Sequence, residues 1–145
     1  MKRQIRQGVF ETNSSSTHTI SIVDKTEYDK WLNDELLYNI EKEKMLSLDE
    51  GTDFNLKLIQ DEYCCGVTIP QACIDAYKKS GNLEELFENW APYDLYYNDL
   101  DLYELYITHD NWLDYVERSY YENFYKSYKT KNDDEIVAFG YYGRD

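Results

Sequence analysis

Residues Leu83–Tyr125 read LEELFENWAPYDLYYNDLDLYELYITHDNWLDYVERSYYENFY. Eleven carboxylates lie in this stretch against one cation, Arg118, and nine tyrosines are threaded between them. Its second half decides the fold around it. Leu113, Val116, Tyr120 and Phe124 recur at helical spacing, so Thr108 or Asp110 is expected to cap a long helix to about Tyr128. Such a helix carries Asp114, Glu117, Tyr121, Glu122 and Tyr125 on its outer face. Before it, Leu102–Ile107 alternates and predicts a strand with Tyr103, Leu105 and Ile107 on one side. Tyr93–Asp101 has no resolvable period. Leu83–Trp90 predicts a short helix that Pro92 prevents from continuing.

C-terminal to this stretch, Lys131–Asp134 is a polar turn and Glu135–Tyr142 a last strand. On the N-terminal side, Pro70 opens a helix that stops at Gly81, with Lys78 and Lys79 complementing its C-terminal dipole. Phe54–Ile59 and Tyr63–Ile69 alternate and predict two strands joined by a turn at Gln60–Glu62. Ser47–Asp53 is expected to be a loop turning at Gly51. Tyr28, Leu32, Leu36 and Ile40 recur every four residues, which predicts a helix from Thr26 to between Ile40 and Met45. His18–Val23 is β-branched and alternating, a strand. Residues 3–10 alternate weakly and predict another, joined to it by the turn-forming run Glu11–Thr17. The expected fold is α+β: an antiparallel or mixed sheet with three to four helices packed on it, in a single domain over residues 1–145.

The chain has 145 residues and 42% hydrophobic side chains, enough for a core, but a formal net charge of -14. Such a surface repels nucleic acid, anionic membranes and acidic substrates and attracts basic proteins. Residues 1–23 are the exception, with Lys2, Arg3 and Arg6 against Glu11. No run approaches the ~18 apolar residues of a membrane span. Cys64, Cys65 and Cys73 form no CxxC spacing, and a sparse, odd count predicts a reducing, cytoplasmic setting.

The acidic, tyrosine-rich stretch is the main functional candidate. Duplex DNA presents roughly one phosphate per 1.7 Å of axis, and carboxylates on a helix face with a neighbouring loop can imitate that field. Tyrosine adds rigid contact area and a ring that stacks on arginine. The candidate partner-binding set is Asp94, Tyr96, Tyr97, Asp99, Asp101, Tyr103, Glu104, Asp114, Glu117, Tyr121, Glu122 and Tyr125. The competing reading is a solvated face that serves solubility alone.

The loop Glu11–His18 is a second candidate. Its small polar residues Asn13, Ser14, Ser15 and Ser16, with Arg3, Arg6 and His18, suit a phosphate cradle or a serine–histidine pair, hence a small enzyme or nucleotide-binding protein. A polar turn is the simpler account, since no Walker, GxGxxG or GxSxG spacing is present. His18 and His109 lack metal-site spacing, and Asp94–Glu104 lacks the pattern of a calcium loop, so no metal or cofactor is expected.

The run Arg6–His18, RQGVFETNSSSTH, resembles an N-terminal signature of small proteins from phages and Gram-positive bacteria. That resemblance implies a phage or mobile-element origin and brings no activity or catalytic residues. In composition, the acidic remainder is similar to phage DNA mimics that block restriction enzymes, CRISPR nucleases or repair glycosylases. The similarity implies a non-enzymatic inhibitor acting in the bacterial cytoplasm on a basic, nucleic-acid-binding nuclease.

Overall fold

A computed structural model describes residues 16–64, 66–88 and 95–144. The expected strand over residues 3–10, most of the Glu11–Thr17 run, Cys65, Trp90 and Asp94 lie outside the described residues. The α+β class holds, with two three-stranded antiparallel sheets and five α-helices among the described residues, where one sheet and three to four helices were expected. Two compact units are distinguished, Met1–Lys30 with Leu113–Asp145 and Trp31–Trp112.

In the first unit, β1 (Ser16–Asp24) pairs with β6 (Glu135–Arg144), and β6 pairs with β5 (Glu122–Lys129). Alternation places Ser21, Val23, Val137, Phe139 and Tyr141 on one sheet face, where all five are buried. Tyr28, from the helix α1 (Lys25–Leu32), closes on that face, its ring 5.2 Å from Tyr125 and 5.5 Å from Phe139. The edge strand β1 and the central strand β6 were both legible because β-branched and aromatic residues alternate along them.

In the second unit, β2 (Leu36–Asn39) lies between β3 (Lys44–Ser47) and β4 (Tyr106–Ile107). The expected helix through Ile40 therefore ends early, at Leu32. Spacing by four fits a strand's period of two as well as a helix turn, so Leu36 and Ile40 did not discriminate. Asp34 adopts the left-handed conformation (φ 63) that stops the helix, which a short polar side chain tolerates. Leu37, Tyr38, Asn39 and Ile40 are then buried consecutively, as in a central strand.

The expected loop at Ser47–Asp53 and strand at Phe54–Ile59 are instead one helix, α2 (Leu48–Glu62). Ser47 caps it by accepting from Glu50 N at 3.2 Å and donating to Glu50 Oε1 at 3.1 Å. Gly51 sits inside this helix rather than at a turn, and its missing side chain makes room for Leu37, whose Cδ1 would lie 2.7 Å from a Cβ there. Tyr63–Ile69 is not a strand either: Gln60 bonds Val67 O and accepts from Ile69 N at 3.2 Å, satisfying by side chain what a neighbouring strand would have satisfied. Cys64 and Cys73 are buried.

α3 (Gln71–Ser80) matches expectation, ending at Gly81 with φ 74 and Gly81 N donating to Tyr77 O at 2.7 Å. α4 (Leu83–Phe87) is capped by Asn82, and 3-10 turns follow at Tyr97–Asp99 and Leu102–Glu104. The expected strand Leu102–Ile107 thus shortens to its last two residues. Trp31 donates from Nε1 to Ile107 O at 3.1 Å, and its ring lies 5.5 Å from that of Trp112 in the core of this unit.

α5 (His109–Arg118) is capped by Thr108, whose hydroxyl accepts from Asn111 N at 3.1 Å. It is half the expected length. Tyr120 turns left-handed at φ 59, Tyr120 N bonds Glu117 O, and Tyr121 N bonds Val116 O. These are the two hydrogen bonds of a Schellman stop. The chain then re-enters as β5, so Phe124 and Tyr125 are strand residues and Tyr120 is not part of a core stripe.

Candidate docking surface

The single helical face expected to carry Asp114, Glu117, Tyr121, Glu122 and Tyr125 does not form. Asp114 and Glu117 lie on α5, whereas Glu122 and Tyr125 lie on β5. Tyr121 stacks on Tyr141, with ring centroids 4.6 Å apart. Glu117 and Glu122 are exposed, but periodicity past Arg118 does not relate them. The other candidates, Tyr96 through Glu104, fall in the second unit. Asp94, Arg3, Arg6, Glu11, Asn13, Ser14 and Ser15 lie outside the described residues; Ser16 and His18 belong to β1.

In the second unit the structure assembles a carboxylate group that the linear sequence does not show. Buried Asn39 is the tie. Its amide donates to Glu104 O at 3.1 Å, its Oδ1 accepts from Lys42 N at 2.7 Å, and Glu41 N bonds Tyr103 O. These bonds hold the β2–β3 turn against the Leu102–Glu104 turn. Tyr63, just past the end of α2, accepts from Asp101 N at 3.2 Å, which brings Glu62 to the same place. Burial first, and then the charges of Asp101, Glu62 and Glu41, push the Glu104 carboxyl above its ordinary value. Burial likewise raises the Tyr63 hydroxyl, with Asp101, Glu104 and Glu62 adding to the effect against the Asp101 hydrogen bond.

Among the described residues none of these four carboxylates makes an ion pair, and Lys42 lies over the Phe54 ring at 4.5 Å. Glu104 and Asp101 were candidates from the sequence. Glu41, Glu62 and Tyr63 were missed because they are 38 or more residues away in the chain.

A groove of about 550 Å³ in the same unit is lined by Glu84, Glu85, Glu88, Tyr96 and Tyr97, among others. Tyr96 is 54% exposed, whereas the Tyr97 hydroxyl accepts from the buried Asn111 amide at 3.1 Å. Asp99 accepts from Tyr96 N at 2.8 Å and Asp101 from Tyr103 N at 3.1 Å, so both have local capping roles as well as charge. His109 sits edge-on to Trp31 at 4.8 Å and stacked on Trp112 at 5.9 Å. Burial lowers its pKa, with Asp110 opposing, which favours the neutral imidazole at neutral pH.

No group of three or more metal-ligating side chains suited to hold an ion occurs among the described residues. No helix among them is long and apolar enough to cross a membrane. What the surface offers chemically is anionic charge interleaved with tyrosine, suited to guanidinium and ammonium groups. Comparison with protein-family models, curated proteins and solved structures found no match for this chain.

Burial of Glu104, with the repulsion around it, predicts a pH signature. Its raised pKa means that the folded chain holds this proton more readily than the unfolded chain. Ionised Glu104 therefore costs stability at neutral pH, and that cost disappears as pH falls through the raised value toward 4.5. Glu104→Gln is expected to melt above wild type at about pH 7.5, with the difference closing near pH 4. Melting curves at the two pH values check this; a constant difference would show that packing, not charge, is responsible.

Proposed function

We propose that this chain is a phage-encoded inhibitor that occupies the basic nucleic-acid groove of a host defence nuclease, of the restriction or CRISPR type. The observation that carries the reading is the gathering of Glu41, Glu62, Asp101 and Glu104 from separate segments without an ion pair among the described residues. Self-repulsion of this kind stabilises nothing in the free protein. It is relieved when a row of arginines and lysines meets it. The groove beside Tyr96 and the net charge of -14 support the same partner chemistry. The N-terminal resemblance supports the phage origin.

The mechanism is competition. Carboxylates replace phosphates in the groove, tyrosine rings stack on guanidinium groups, and association is fast and salt-sensitive. Binding to a purified RNA-guided or restriction nuclease is expected to weaken steeply as salt is raised from about 50 to 200 mM. Excess duplex DNA is expected to displace the inhibitor. A stable ternary complex of inhibitor, nuclease and DNA would exclude this reading.

A further inference from the structure

Tyr120 stands out for its backbone as well as its exposure. It is the left-handed residue of the α5 stop, at φ 59, a position that glycine usually fills and that a bulky side chain adopts at a steric cost. Its side chain is 90% exposed, and its ring contacts no other ring among the described residues. Folding therefore gains nothing visible from having tyrosine here. Glycine would remove the strain, and any polar residue would remove the exposed ring.

Aromatic packing braces the turn that presents it. Tyr121 lies parallel to Tyr141 at 4.6 Å, Tyr115 meets Tyr141 edge-on at 5.7 Å, and a Cβ on Gly143 would lie 2.2 Å from the Tyr121 ring. This packing holds residues 119–121 in place while Tyr120 points away from any such partner. Strain retained at an exposed, well-braced position is the pattern of a functional side chain.

Its surroundings select the ligand. Glu117, whose carbonyl accepts from Tyr120 N, is exposed, as is Glu122 two residues on. Glu122 lies opposite Tyr142 across the β5–β6 pair, and Tyr142 is itself 39% exposed. Arg118 in the same turn leaves it one negative charge ahead. Two exposed rings with two carboxylates match a planar guanidinium, which stacks and bonds in two directions, better than an ammonium.

We propose that Tyr120 is a docking anchor for an arginine side chain of a basic partner protein. This rests on the reading of the chain as a ligand of basic proteins and adds to it one site in the first unit and a preference for arginine over lysine. Nona-arginine and nona-lysine peptides serve as probes, with Tyr120→Gly and Tyr120→Phe as variants of unchanged net charge.

The wild-type protein is expected to favour nona-arginine. Tyr120→Gly should weaken nona-arginine about 5-fold and nona-lysine by less than about 2-fold, whereas Tyr120→Phe should keep the preference. Relief of strain should raise the melting temperature of Tyr120→Gly by about 3 °C. Equal affinity of wild type and Tyr120→Gly for nona-arginine would overturn the proposal, as would a lower melting temperature of the glycine variant. Nuclease binding that survives Tyr120→Gly would overturn it too, while leaving the inhibitor reading intact.

Discussion

Reversing Glu41, Glu62 and Glu104 together to lysine is expected to weaken binding to a basic, DNA-binding nuclease at least ~100-fold at low salt. Each reversal replaces an attraction with a repulsion against the same arginine or lysine, and close charge pairs at interfaces couple by roughly 1.5 kcal/mol or more. Three of them therefore exceed the ~2.7 kcal/mol that a hundredfold change requires. The fold should survive, because these groups repel one another in the free protein and none ion-pairs with a described cation. Asp101 is left in place since it caps Tyr103 N.

Reversing the exposed Glu35, Asp75 and Asp134 gives the same net charge and is the control. Binding by titration calorimetry at two salt concentrations separates the outcomes. If the control triple loses as much affinity as the test triple, the interaction is a diffuse charge effect and the assembled carboxylate group has no special role.

Asn55→Ala is expected to destabilise the second unit by about 3 kcal/mol. Asn55 is buried in α2, and its Oδ1 accepts from Tyr106 N at 2.8 Å while its amide donates to Tyr106 O and to the Tyr77 hydroxyl. β4 is a two-residue edge strand, and Asn55 takes the place that a further strand would occupy. Alanine leaves the Tyr106 N–H and C=O without these partners in a buried site, at about 1–3 kcal/mol for each unsatisfied group. Against a typical stability of about 5–15 kcal/mol, that loss is severe. Tyr77→Phe removes a single bond and should cost about 1 kcal/mol. Urea unfolding checks both; an Asn55→Ala loss under about 1 kcal/mol would mean that water or a shifted side chain replaces the amide.

The same residues show where sequence reading stops. Ser47 and Glu50 do form a local capping signal for α2, but alternation through Phe54, Leu56 and Leu58 masked it. Gly51 suggested a turn for the same reason that Leu37 requires glycine there, the lack of a side chain. The stop at Tyr120 carried no glycine to announce it, so helical spacing ran on into a strand. Glu41 and Glu62 could not be joined to Asp101 and Glu104 by any local pattern, since the link is the amide of Asn39 and the hydroxyl of Tyr63.

The sequence by itself determined the α+β class, the strands around Ile20 and Val137, the helix between Pro70 and Gly81, and the anionic net charge. These follow from local propensity and from composition, which need no knowledge of distant neighbours. Only the tertiary structure decided that Leu36–Asn39 is a central strand, that α5 ends at Arg118, and which carboxylates confront one another. Each of those depends on a partner far away in the chain, or on a left-handed residue that tyrosine does not advertise, so no window of sequence contains the deciding interaction.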